Sequence, residues 1–331
     1  MYKKHFSFIL VVILILIAFF PQTTFAQEDW PRVISIGTAS VGGMLHLVGG
    51  LLSEFWIEIG VNASVEDSGG SFHNTMLINK GDLHTALISQ GAAWEAWSGE
   101  EITGLFENEA EYYHQMRGIH PLHVSQMHSW TVDDTIESYR DLDGKIVSGG
   151  PAGGTSDFWF RMVMDILGVK PARVVYTSLG DTVNLIRDNL LDLGTVSGGF
   201  PVPAANEASA TLGAHIVGVK FEEDIEKIKE QMPFFSTVEI PAGAYQGLDE
   251  ALLTVGDWNV YFAHKDLPEE MVYQYTKSVF ENLDRLYEGH ASLKTVTADS
   301  VKNIVLPLHR GAYRYYNEAG IEVHPDAIPV D

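Results

Sequence analysis

Cysteine is absent from the 331 residues. That excludes a disulfide framework and a lipid-modified cysteine anchor, so the fold must rest on its core alone. Positive charge is also scarce. Lys and Arg number 21 against 44 Asp and Glu, a formal charge of −23, which makes nucleic acid and anionic membrane surfaces poor partners. Neither Gly-x-Ser-x-Gly nor Gly-Lys-Ser/Thr occurs, so neither an esterase elbow nor a phosphate-binding P-loop is supported, and no cofactor is implied. Long apolar runs are missing too, with one exception at the start. Lys3 and Lys4 precede an apolar run from Phe8 to Phe20, and Thr24-Phe25-Ala26 follows with the small-x-small pattern of a signal-peptidase site. The run is short of the roughly twenty residues that span a bilayer. Residues 1–26 are therefore predicted to be a cleaved secretion signal, and the mature protein to begin near Gln27, outside the cytoplasm and without a direct lipid anchor. Loss of two leader lysines leaves 19 basic and 44 acidic residues, or −25.

What is present is a regular alternation of strand and helix patterns from Trp30 onward, which predicts an α/β fold with mostly parallel sheets. Length suggests roughly two domains. Val33 to Ile36, Val61 to Glu66 and His84 to Ile88 read as strands, each followed by a polar or glycine-bearing turn and a helix. Leu122 to Met127 reads as a strand leading into a second domain. There Lys145 to Ser148 feeds Gly149-Gly150-Pro151-Ala152-Gly153-Gly154-Thr155-Ser156 and an amphipathic helix stopped by Gly168. Further strands are expected at Arg173 to Thr177, Asp192 to Ser197, Leu252 to Val255 and Asn259 to Ala263. Helices are expected over Glu222 to Gln231, Glu269 to Tyr287 and Leu306 to Gly320, the last two packing back on the first domain.

In open α/β sheets, ligands sit beyond the carboxyl ends of strands, where such turns gather. Four of them, at Ser40 to Gly43, Gly69 to Asn74, Ser89 to Gln90 and Gly153 to Ser156, are rich in Gly, Ser, Thr, Asn and Gln and contain no Lys or Arg. Helix starts with unpaired N–H groups favour anions. Ser71 is the expected N-cap of its helix. No acid–base pair or activated nucleophile is visible at these turns, so they suit binding rather than catalysis. Micromolar affinity needs about 8 kcal/mol, and a hydrogen bond to a charged group contributes roughly 1.5 to 3. Five or six contacts converging from two domains are therefore required. His114, His120, His123 and His128 match no standard zinc spacing, and no metal is expected. Trp94, Trp159 and Tyr245 lie near the turns; Trp159, regular on an apolar helix face, is read as core.

Five stretches resemble the TAXI class of extracytoplasmic solute-binding proteins, the receptors of TRAP transporters. They are Ile36 to Gly43, Ser68 to Asn74, Gly150 to Thr155, Ile240 to Tyr245 and Leu306 to Ala312. The resemblance runs from about Val33 to Asp326. It implies a two-lobed type II periplasmic-binding fold, with residues 27–121 and 241–331 in lobe 1 and 122–240 in lobe 2. It also implies closure on a small organic acid, such as an amino acid, glutamate or 2-oxoglutarate, and delivery to a membrane permease. A receptor for a membrane kinase or for an ATP-driven importer would use the same pocket. Ligand-contacting positions map to Ser40, Gly43, Ser71, Asn74, Ser89, Gln90, Gly153, Thr155 and Ser156, with Gly154, Phe200 and Tyr245 beside them. The chain departs from the family at Leu45-His46, where an aromatic pair is common, and at Ala152-Gly153-Gly154-Thr155, where Gly-Ser-Gly-Thr is common. His46, facing the cleft, would replace the missing serine hydroxyl.

Overall fold

The computed structural model describes residues 30–39, 44–100, 104, 106, 113–152 and 155–330. The leader at 1–26 lies outside them. Among the described residues, no helix is long and apolar enough to cross a membrane.

Ile34 and Ile36 alternate with more exposed neighbours in β1 (Val33–Gly37) and are fully buried, which is the two-residue period of a strand with one face on the core. The chain continues through α1 (Met44–Glu58), β2 (Asn62–Glu66), α2 (Ser71–Lys80), β3 (Thr85–Ser89) and α3 (Gln90–Ser98). β1 lies between β2 and β3, parallel to both. Gly81 ends α2 in a left-handed conformation at φ 79°, a position that favours glycine. At the other end of α2 the expected cap is displaced by one residue. Gly70 occupies the N-cap at φ 84°, and Ser71 is the first helical residue.

A second set repeats the pattern: β5 (Ile146–Ser148), α4 (Thr155–Leu167), β6 (Arg173–Val174), α5 (Leu179–Arg187) and β7 (Leu193–Gly198). Here β5 lies between β6 and β7, again parallel to both. α6 (Pro203–Leu212), β8 (His215–Val217), α7 (Glu222–Gln231) and β9 (Phe235–Ile240) complete this half.

Two long strands join the sets. β4 (Met116–Thr131) and β10 (Leu252–His264) pair antiparallel with each other, β10 also with β3 and β9, and β4 also with β7 and β8. The resulting order is β2-β1-β3-β10-β4-β7-β5-β6, with β8 on β4 and β9 on β10. Parallel pairing thus holds inside each set, where helices make the crossovers, and the joining strands add the antiparallel pairs. This is a mixed α/β fold of two parallel sets joined by two long antiparallel strands. The chain positions 121/122 and 240/241 fall inside β4 and at the end of β9.

Two differences from expectation bear on function. β4 is far longer than Leu122 to Met127, and the two strands expected at 252–255 and 259–263 are one continuous β10. Gly256, which read as a break, is a close-packing site, since a Cβ there would lie 2.6 Å from Val124 Cγ1.

The core of the second half gathers Met127, Tyr139, Trp159, Phe160, Phe234 and Phe235, with Trp94 packed against it. α8 (Glu269–Glu281), α9 (Leu283–Gly289) and α10 (Arg310–Ala319) return to the first half. Tyr275 of α8 stacks on Trp56 of α1 at 3.9 Å, and the Tyr316 hydroxyl of α10 donates to Ile119 O at 2.6 Å. The single helix expected over 269–287 is divided at Asn282. The one expected from Leu306 starts at Arg310, because Gly118 N donates to Pro307 O and Leu308 bridges to Gly118 of β4.

Candidate ligand-binding site

A cavity of about 780 Å³ lies where the turns of the two halves meet. Ser71 and Ser89 line it from the first half, Thr155 and Phe200 from the second. His123 and Ser125 of β4 and Asp257 and Asn259 of β10 line it from the joining strands, and His290 and Ser292 from the loop after α9. No Lys or Arg is among the lining residues.

Ser71 and Ser89 are tied together, the Ser89 N–H donating to Ser71 Oγ at 2.9 Å. Ser89 in turn caps α3, its Oγ accepting from Ala92 N at 3.5 Å. In both cases the hydroxyl oxygen accepts from backbone; the Ser71 proton is left for another acceptor, while the Ser89 hydroxyl is drawn toward Asp257. These are donors held in place by the scaffold.

Four sequence-predicted positions, Ser40, Gly43, Gly153 and Gly154, lie outside the described residues. Five more are held elsewhere than on the cavity wall. The Asn74 amide is fully used: Nδ2 donates to Thr38 O at 2.7 Å and Leu87 O at 2.9 Å, and Oδ1 accepts from Ser68 Oγ at 2.6 Å. It therefore pins the turns after β1 and β2 to each other and to β3. Gln90 donates to Asn303 O at 3.0 Å and accepts from Val305 N at 2.9 Å, fastening the segment before α10. Ser156 accepts from Ser197 N at 2.9 Å. The Tyr245 hydroxyl meets His128 Nε2 at 2.6 Å and accepts from Val202 N at 2.9 Å, bracing the 200–203 turn. His46 turns toward Thr38, with Nδ1 3.2 Å from its hydroxyl. Trp94 and Trp159 belong to the core of the second half.

The joining strands carry functional groups that the sequence reading passed over. Asp257 is 1% exposed, with Oδ1 accepting from Gly91 N at 3.1 Å and Oδ2 without a hydrogen-bond partner. Burial pushes its carboxyl up to about 7, against the pull of the Gly91 N–H, the Ser89 hydroxyl, the Trp159 indole and the Gln90 N–H. Although near enough to favour the anion, Trp159 Nε1 makes no hydrogen bond of ordinary geometry. The donors at the start of α3, which the sequence reading left for a ligand, are thus partly taken by the protein's own carboxylate. At the start of α4, buried Asp157 is paired to Arg161 at 2.9 Å.

His123 is held neutral, lowered to about 4 by burial and further by His290. Asn259 Nδ2 lies 3.3 Å from His123 Nε2. The two protons of that amide also face His123 O and Ser125 Oγ, at 3.1 and 3.0 Å, and His123 Nδ1 is buried without a partner. A signal for this group existed in the sequence. His123 and Ser125, like Asp257 and Asn259, are spaced by two along their strands, and Ser125 is opposite Asp257 in the register. The four histidines do not converge on a metal: His114 stacks on Trp97, His120 on Tyr275, and His128 meets Tyr245. Among the described residues no group of three His, Asp or Glu is placed to hold one.

Residues 36–320 match the model of the NMT1-like family. The chain belongs to that family. In this NMT1-like chain the matched segment contains every residue that lines the cavity. Among solved structures, the chain is similar to a TctC solute-binding protein from Polaromonas, at 17% identity over 80% of this chain and 86% of that one, with a TM-score of 0.49. A Xanthomonas citri protein solved with a chloride ion matches at 12% identity over 88% and 98%, TM-score 0.46. A TRAP periplasmic solute-binding protein from Sulfitobacter, solved with β-D-galacturonate, matches at 10% identity over 88% and 88%, TM-score 0.44.

Proposed function

We propose that this NMT1-like chain is the extracytoplasmic substrate-binding subunit of a TRAP-type transporter of the TAXI class, which closes on a small organic acid and hands it to a membrane permease. The observation that carries this reading is the cavity itself. It has room for a small metabolite, and its walls offer hydroxyls from turns of both halves with no lysine or arginine. Ser71, Ser89 and Thr155 would donate to the ligand from opposite sides.

Closure would use the joining strands as the hinge, with residues 27–121 and 241–331 moving as one lobe and 122–240 as the other. Binding energy would then shift an open–closed equilibrium, and the permease would recognise the closed form. A cleaved leader at 1–26 would place the receptor outside the cytoplasm. Asn74, Gln90, Ser156 and Tyr245 act in this scheme as the scaffold that sets the turns.

Calorimetry with a panel of small carboxylates, including dicarboxylates and amino acids, tests the reading. One-to-one binding of at least one acid in the micromolar range or tighter is expected. Binding of neutral solutes alone would refute it.

A further inference from the structure

The charge balance of the cavity narrows the ligand. Among the described lining residues the one carboxylate, Asp257, is buried with Oδ2 unpartnered, and none is Lys or Arg to neutralise it. An unpaired polar atom in this position is costly to the fold. Where Asp257 is ionised, an incoming ligand with only negative charge would make matters worse, because like charges repel strongly where water is excluded. A ligand that brings its own positive nitrogen removes both difficulties. Its carboxylate would then fall to uncharged donors already on the wall, the hydroxyls of Ser71 and Thr155.

We infer that Asp257 Oδ2 is the seat of a cationic nitrogen on the ligand, so that the acid bound is an α-amino acid or a similar small zwitterion and not a 2-oxo acid or a simple dicarboxylate. The inference rests on the organic-acid reading above and assigns its specificity to one residue of β10. The geometry is favourable. Oδ1 is fixed by Gly91 N at the start of α3, and the neighbouring Asn259 amide nitrogen is spent on His123 O and Ser125 Oγ at 3.1 and 3.0 Å. Asp257 therefore has one oxygen anchored and one buried without a hydrogen-bond partner. The titratable groups around it are His123 on β4 and His290 in the loop after α9. Arg161, on the helix that carries Trp159, is already paired with Asp157. A carboxyl that titrates near 7 when empty would lose its proton to solvent when an ammonium group arrives.

The test uses calorimetry on the purified chain with twenty amino acids and, for glutamate, the matched probes 2-oxoglutarate and glutarate. At least one amino acid is expected to bind ten-fold or more tightly than its 2-oxo and deaminated analogues. Titrations at pH 7 in two buffers of different ionisation enthalpy are expected to show proton release on binding. Asp257→Asn is expected to weaken the amino acid thirty-fold or more and to leave the deaminated analogue unchanged or tighter. The variant's melting temperature and circular dichroism establish that it folds. Proton uptake on binding, or an Asp257→Asn variant with unchanged amino-acid affinity, would overturn the inference. Binding of 2-oxoglutarate or glutarate with no amino acid bound would overturn it and leave the organic-acid reading standing. Binding of uncharged solutes only, with galactose as the probe, would overturn both.

Discussion

Replacing Asp257 with Asn should stabilise the unliganded protein at neutral and alkaline pH. In the folded state the carboxyl holds its proton up to about pH 7, against 3.8 for the ordinary group. Between those values the folded chain binds more protons than the unfolded one, so this residue makes stability fall as pH rises, and above pH 7 the whole penalty is present. Roughly three pH units at about 1.4 kcal/mol each give about 4 kcal/mol. An amide keeps an acceptor for Gly91 N but carries no charge to bury. A folded unit of about 300 residues unfolds with an entropy of roughly 0.6 kcal/mol/K, so Asp257→Asn should raise the melting temperature by about 6 °C at pH 8. At pH 4 to 5, where the folded carboxyl is already neutral, the difference should shrink toward zero. Differential scanning calorimetry of both proteins from pH 4.5 to 8.5 measures it. A melting-temperature difference that is independent of pH, or a variant less stable than the parent at pH 8, would refute the reasoning. Stability gained here and binding lost would be the usual opposition at a functional site.

Two further predictions concern the scaffold. Asn74→Ala removes the amide donor from Leu87 O and one of two side-chain donors from Thr38 O, where the Ser68 hydroxyl remains, and should cost about 1 to 3 kcal/mol of stability in a urea titration; a loss under 0.5 kcal/mol would remove Asn74 from that role. Acid should unfold the protein steeply between about pH 6.5 and 4. His120, His123, His128 and His309 are each lowered to about 4 by burial, so the unfolded chain binds more protons across that window and stability rises with pH through it. Urea midpoints that stay flat from pH 4 to 6.5 would contradict this.

Much of the fold was legible because strand periodicity and turn chemistry agreed. Ile34 and Ile36 marked β1, Gly81 marked the end of α2, and the charged face of Glu222 to Gln231 coincided with α7. The turns carrying Ser71, Ser89 and Thr155 were legible as cavity walls for the same reason. The joining strands were not. Gly256 and Asp257 inside β10 resemble a turn when read locally. Only the register with β4, set by residues more than a hundred positions away, turns them into a continuous strand with a carboxylate facing Ser125. Local motif reading likewise could not separate Ser71 from Asn74. Both belong to one Ser/Gly/Asn turn, yet the Asn74 amide is consumed by carbonyls of two other segments.

The central claim is a grip on the ligand by uncharged side chains from both halves. Affinities of Ser71→Ala, Thr155→Val and the double variant for the tightest acid of the panel test it most directly. Each single substitution should weaken binding by about 1 to 3 kcal/mol, or roughly 5- to 150-fold, through the unpaired ligand oxygen it leaves. Unchanged affinity in either single variant would mean that the ligand is held from one side only, or lies elsewhere.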